Sequence, residues 1–307
     1  MLKEIIDKKE KEIKNNRNYI IGINFTFPIV GCNSNCSYCC QDIASKKPQD
    51  IDISKFIKKD FKKVLELAKN EKKNIDLVII GGELKVLGLE NQLKLVNLIN
   101  ELKKDRNIRR VTIVVNDTKL DSPLMKIDDV CYIVHILNWK NKKIDYKLNL
   151  YSENESINYG KKSFYKIVIT DNDTLEDIKN FLKLNPNLPV NFTYNTRSEK
   201  YKDFEYMENF YHELYKLSKN IKSEYEEKNK YDFYDIKHRR YLCRHKLVKN
   251  FGFDYNEKEG NYFYKKDIRF CCTGEPYALK LDELKTLDVK KEYFEECCKN
   301  CYIYYGF

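Results

Sequence analysis

The chain has 307 residues, long enough for one large domain with a smaller companion and for a substantial buried core. No apolar run approaches the ~20 residues of a membrane span, and the start, Met1-Leu2-Lys3-Glu4-Ile5-Ile6-Asp7, lacks the apolar core of a signal peptide, so a cytoplasmic protein without a membrane partner is expected. The formal charge of +10 comes from lysines dispersed along the whole chain, and Lys58-Lys59-Asp60-Phe61-Lys62-Lys63 spaces its apolar residues as a solvated helix face does, so nucleic acid is not the expected partner.

Tyr19 to Phe25 is apolar and β-branched and reads as a first strand, leading through Thr26-Phe27-Pro28 into a cysteine-bearing loop. Ile53 to Lys69 repeats Phe56, Ile57, Phe61, Val64, Leu65 and Ala68 at a helical period, with Ser54 as a cap, and Ile75 to Ile80 follows as a buried-strand run. Leu89 to Leu102 is then a helix, Arg110 to Val115 a third strand, Val130 to Ile136 a fourth and Phe164 to Thr170 a fifth. Leu175 to Leu184 is a helix and Pro189 to Tyr194 a sixth strand, whereas the polar stretch from Asp145 to Lys162 has too weak a period to assign. Strands alternating with helices imply right-handed crossovers and a parallel sheet. A Tyr- and Lys-rich helical segment from about Lys202 to Lys228 and a hairpin-like stretch from Tyr255 to Phe270 follow.

In a reducing compartment, 11 cysteines argue for metal or redox chemistry, because disulfides would be kept reduced. Cys32, Cys36 and Cys39, in Gly31-Cys32-Asn33-Ser34-Asn35-Cys36-Ser37-Tyr38-Cys39, follow directly on the first strand. Four thiolates would saturate the irons of a cubane cluster, whereas three leave one iron open for an outside ligand. A zinc knuckle or scattered core cysteines form the competing reading, although structural zinc favours CxxC pairs. Gly81-Gly82-Glu83-Leu84 falls immediately after the second strand, the end of a parallel barrel where loops converge on the chemistry. Read alone it is a turn with an acidic residue at a helix start. Asn116, Asn138 and Thr170 end the third, fourth and fifth strands, either as ligand contacts or as turn residues. Cys131 and His135 lie in the fourth strand, and Cys131 reads as a small core residue.

The CxxxCxxC spacing resembles the signature of the radical S-adenosylmethionine superfamily, and Gly81-Gly82-Glu83 resembles its GGEP motif, with Leu84 in place of the usual proline. The resemblance implies an α/β fold, a partial (β/α)6 TIM-like barrel, and a [4Fe-4S] cluster held by Cys32, Cys36 and Cys39. It also implies S-adenosylmethionine with its amino group at Gly81, Gly82 and Glu83 and its adenine near Tyr38, and with Asn116, Asn138 and Thr170 as further cofactor contacts. Toward the C-terminus, Cys243, the hairpin-like stretch, Cys271-Cys272 and Cys298-Lys299-Asn300-Cys301 resemble the small twitch domain, a shortened SPASM domain. There one auxiliary [4Fe-4S] cluster would be held by Cys243, Cys271 or Cys272, Cys298 and Cys301, with a zinc ribbon as the competing reading. The implied division is a helical extension over 1–18, the barrel over 19–200, a helical connector over 201–240 and the twitch-like domain over 241–307.

The doublets Cys39-Cys40 and Cys271-Cys272 resemble those of twitch-bearing peptide epimerases, in which a thiol beside the auxiliary cluster returns a hydrogen atom to a Cα radical. The resemblance assigns that donor role to Cys272 and the ligand role to Cys271, an assignment open to reversal. A thiol suits the role because its S–H bond is weak and its oxidised product can be reduced again. The expected activity is modification of a ribosomally made peptide, with Cα epimerisation ahead of thioether or carbon–carbon crosslinking. A twitch-type dehydrogenase acting on a small molecule is the further alternative. The partners implied are the peptide and a reductant such as flavodoxin or ferredoxin.

Overall fold

The computed structural model describes residues 20–39, 47–145, 163–186, 188, 190–195, 198–221, 250–259, 262–269 and 285–286. In chain order they form β1 (Ile20–Thr26), α1 (Ser54–Asn70), β2 (Asn74–Ile80), α2 (Leu89–Leu102), β3 (Ile108–Asn116), β4 (Cys131–His135) and β5 (Phe164–Ile169). Then come α3 (Leu175–Leu184), β6 (Val190–Tyr194), the short α4 (Glu199–Lys202), α5 (Phe204–Ile221), β7 (Asn250–Glu259) and β8 (Tyr262–Arg269). The expected helices Leu89–Leu102 and Leu175–Leu184 have the observed bounds, and α3 is closed by a capping box in which Thr174 and Asp177 satisfy each other's backbone N–H. Ser54 is the first residue of α1 and not its cap; Ile53 takes the cap position without a side-chain bond. The expected helix over Lys202–Lys228 is interrupted at Asp203 and is described to Ile221. The unassigned stretch falls outside the described residues over 146–162.

The strands form one sheet in the order β6–β5–β4–β3–β2–β1–β7–β8, parallel throughout except for the antiparallel pair β7–β8. The first six strands are the expected partial (β/α)6 arrangement, and the described sheet is open: β6 lies at one edge and β8 at the other. Alternate strand residues (Ile21, Ile23 and Phe25 on β1, Ile75, Leu77 and Ile79 on β2, Tyr165, Ile167 and Ile169 on β5) are completely buried. They share one apolar cluster with Ile57, Phe61 and Val64 of α1, Leu95 and Ile99 of α2, and Phe181 and Leu182 of α3. Period-two strands thus meet period-3.6 helices on one face, where each fully buried large aliphatic or aromatic side chain contributes about 2 kcal/mol. The register aligns the other strand residues in rows on the opposite face, one of which runs Asn116, His135, Lys166, Asn191 across β3 to β6. A bulge where Ile75 pairs Ile108 but Asp76 pairs Arg110 leaves Arg109 as the extra residue, and both arginines bind the Asp76 carboxylate.

The hairpin expected from Tyr255 begins at Asn250, and its first strand is part of the main sheet: Gly22 to Thr26 pair in parallel with Asn250 to Asp254. Phe253 stacks on Phe25 with centroids 4.9 Å apart and Tyr255 on Phe27 at 4.6 Å, while the Tyr255 hydroxyl donates to the buried Asp60 of α1. No helix among the described residues is long and apolar enough to cross a membrane.

Candidate metal centre

The cysteine loop leaves the carboxyl end of β1 through a 3-10 turn at Pro28–Val30 and docks against the loop that follows β2. Phe27 N–H donates to the Ile80 carbonyl at 2.8 Å and Glu83 N–H to the Gly31 carbonyl at 2.9 Å, while Gln49 N–H ties the returning chain to Val30 at 2.8 Å. Gly81 and Gly82 have φ of +138° and +51°. A Cβ on Gly81 would lie 2.1 Å from the Phe27 nitrogen and one on Gly82 would lie 1.9 Å from the Gly31 oxygen. The double glycine therefore admits the backbone of the cysteine loop itself, a closer claim on this space than the ligand approach suggested by the sequence.

Cys32, Cys36 and Cys39 are all half-buried, and Cys39 N–H donates to the Cys36 carbonyl at 3.1 Å, closing a turn between them. Burial pushes the Cys32 and Cys36 thiols up; Cys32 also feels the charge of Cys39, and Cys36 that of both others. Iron bound as a cluster would hold these groups as thiolates and offset that cost. Ser34 N–H already donates to Cys32 Sγ at 3.3 Å. No group of three or more His, Cys, Asp or Glu among the described residues is arranged to hold a single metal ion. A cubane cluster makes a different demand, since each thiolate binds its own iron. Three neighbouring, partly desolvated thiols on one loop fit it.

Glu83 is only 1% exposed. Its Oε1 accepts from Lys85 N–H at 3.1 Å, its Oε2 from Asn116 N–H at 2.6 Å, and the Lys85 ammonium lies 3.7 Å from Oε1. Burial drives the Glu83 carboxyl up and the Lys85 ammonium down, the attraction between them opposing both shifts. Tyr38 packs by Cys36 and within electrostatic reach of Asp117 and Asp173, so the loop extends toward the ends of β3 and β5. Burial raises its phenol well above the usual range, and Tyr38 stays neutral.

Of the three residues expected at strand ends, only Asn116 is brought to the cysteine loop, donating from Nδ2 to Ser34 Oγ at 3.1 Å and to Asn33 Oδ1 at 3.5 Å. Thr170 lies just past β5 with its N–H and hydroxyl both donated to Asp173, at 2.6 and 2.8 Å. Asn138 is exposed, three residues beyond the end of β4, at φ +49° in a turn. Cys131 is buried, as its reading as a core residue requires. Cys243, Cys271, Cys272, Cys298 and Cys301, together with Cys40 and Cys297, lie outside the described residues. Sequence reasoning missed Lys85, Asn33, Ser34 and Thr118. Nothing in a lone lysine after GGE announces burial, although the polar residues between the cysteines were available as loop-bracing groups.

Residues 21–159 match the family model described as a 4Fe-4S single cluster domain. The match takes in all three loop cysteines, Tyr38, the Gly81-Gly82-Glu83 turn and Asn116, and it bears out the expectation of an iron–sulfur cluster domain. No curated protein matches the chain. Among solved structures, the chain is similar to Streptococcus suis SuiB bound to S-adenosylmethionine, with 11% identity and a TM-score of 0.43 over 88% of this chain and 65% of that one. It is also similar to Streptococcus suis SuiB bound to the precursor peptide SuiA, with 12% identity and a TM-score of 0.40 over 86% of this chain and 62% of that one. The chain thus spans less than two thirds of the length of these structures.

Proposed function

We propose that this chain is a radical S-adenosylmethionine enzyme that modifies a ribosomally made peptide, with Cα epimerisation as its reaction. The observation that carries the reading is the docking of the CxxxCxxC loop after β1 onto the Gly81-Gly82-Glu83 turn after β2, through the Glu83 N–H to Gly31 bond of 2.9 Å. The two motifs were separate in sequence and are one structural unit. Cys32, Cys36 and Cys39 would hold three irons of a cluster, and the neighbouring backbone of Gly81 and Gly82 with Tyr38 would border S-adenosylmethionine. Together these cofactors, when bound, supply a 5′-deoxyadenosyl radical able to take a hydrogen atom from a C–H bond. The chain's own contribution is to position and shield: the half-buried thiols sit on a loop whose backbone is pinned to β2 and whose side chains are pinned to β3.

In the same reading, residues 19–200 are the barrel and 241–307 a twitch-like domain with one auxiliary cluster on Cys243, Cys271, Cys298 and Cys301. Cys272 is the thiol that returns hydrogen to the opposite face of Cα, 201–240 is the connector and 1–18 a helical extension. Inversion needs donor and acceptor on opposite faces, and a cysteine beyond the cluster's four ligands meets that need. A net charge of +10 favours an acidic peptide segment as partner. The test is the reconstituted protein with dithionite: it should convert S-adenosylmethionine to 5′-deoxyadenosine, and the variant with Cys32, Cys36 and Cys39 replaced by Ser should not. With a peptide encoded beside this gene as substrate in deuterated water, the product should gain one deuterium at Cα. A loss of two mass units would mean crosslinking or dehydrogenation and end the epimerase reading.

A further inference from the structure

The side chains that brace the cysteine loop all lead back to one buried cation. Lys85 has no exposed side-chain surface, and its ammonium donates to the Asn116 carbonyl at 2.6 Å and to the Thr118 carbonyl, with Glu83 as counter-ion. Asn116 in turn donates from Nδ2 to Ser34 Oγ at 3.1 Å. Thr118 accepts from Asn33 Nδ2 at 3.3 Å and donates its own hydroxyl to Asn116 Oδ1 at 2.6 Å. The last link is the Ser34 N–H on Cys32 Sγ, at 3.3 Å. An unbroken chain of contacts therefore runs from the Lys85 ammonium through Asn116 and Ser34 to a ligand sulfur.

We propose that Lys85 is a positioning residue that, through Asn116 and Ser34, holds the N–H···S hydrogen bond on Cys32 and thereby raises the reduction potential of the cluster carried by Cys32, Cys36 and Cys39. The physical basis is that an N–H donated to a ligand sulfur stabilises the more negative, reduced cluster. Lys85 is placed to do this at no cost in net charge, because Glu83 neutralises it within the same loop. The clamp also explains why a lysine is tolerated in a fully buried position: two carbonyls accept its protons and a carboxylate 3.7 Å away balances its charge. The inference rests on the cluster part of the proposed function and not on the reaction with S-adenosylmethionine or peptide.

The experiment is an EPR-monitored reductive titration of the reconstituted full chain without S-adenosylmethionine. The signal to follow is the one lost when Cys32, Cys36 and Cys39 are replaced together by Ser. Lys85→Met should shift its midpoint to more negative potential. The double variant Glu83→Gln/Lys85→Met, which restores charge balance but not the clamp, should keep that shift. Asn116→Leu severs the link to Ser34 Oγ while leaving Ser34 and its contacts to Cys32 in place, and should shift the midpoint in the same direction even if the Lys85 variants fail to fold. A return to the wild-type potential in the double variant would show a simple charge effect and overturn the positioning role. An unchanged potential in Asn116→Leu would overturn it as well. If wild type and variants differ as expected but none yields 5′-deoxyadenosine, the proposed activity fails while this inference stands; a wild-type chain that takes up no cluster on the loop overturns both.

Discussion

At the scale of single residues, the two glycines after β2 are the most constrained positions at the site. Gly82→Ala would bring a methyl group against the Gly31 carbonyl, at a backbone φ of +51° that an L-residue adopts with strain. The atoms it would meet belong to the Gly31 backbone and cannot swing aside, so the variant should lose roughly 3 kcal/mol, read as a lower urea midpoint with less iron retained after reconstitution. His135 gives a second residue-scale expectation. Burial, with a smaller contribution from Lys166, holds its pKa down to about 3, against 6.5 in an unperturbed chain. Between these values the unfolded state binds a proton that the folded state refuses, so stability is full above about pH 6.5 and declines as the pH falls toward 3. In His135→Gln that part of the acid sensitivity should vanish. Parallel urea curves for wild type and variant across pH 4 to 7 would count against the burial of an uncharged imidazole.

At the scale of elements, the β7–β8 hairpin is tied to the strand that delivers the cysteine loop. Phe253 is completely buried against Phe25, and Tyr255 spans from Phe27 to Asp60. Phe253→Ala should cost about 3 kcal/mol by leaving a cavity beside β1, and Tyr255→Phe about 1 kcal/mol through its lost hydrogen bond. Deleting residues 250–307 would do more than remove cysteines: it would bare the edge of β1, with its unpaired backbone groups beside an apolar surface. The truncated chain should aggregate on expression. Recovery of a soluble monomer with the secondary-structure content of the remaining barrel would show that the hairpin is dispensable to it.

At the scale of the whole molecule, the proposed function makes a statement about metal content. If both proposed clusters are present, the chain should carry about eight irons after anaerobic reconstitution, falling to about four when Cys32, Cys36 and Cys39 are replaced by Ser. Elemental analysis gives the answer directly. A wild-type content near four irons with one equivalent of zinc would replace the auxiliary cluster with a zinc ribbon.

The strand and helix order was determined by sequence alone, because local periodicity records which side of an element is buried. Leu89 to Leu102 and Leu175 to Leu184 were legible to the residue, and the parallel sheet followed from their alternation with strands. The cysteine loop was legible for a different reason: three thiols at fixed spacing are a chemical constraint that needs no tertiary context. Only the tertiary structure decided what those features meet. It placed the Cys32 loop in the space that Gly81 and Gly82 leave open, paired β7 with β1 across most of the chain length, and buried Lys85 with Glu83 beneath Asn116. Each of these depends on the register between segments distant in sequence. A hydropathy pattern specifies that a face is buried, while the strand edge that covers it and the carboxylate that neutralises an interior lysine are settled only when the sheet has formed.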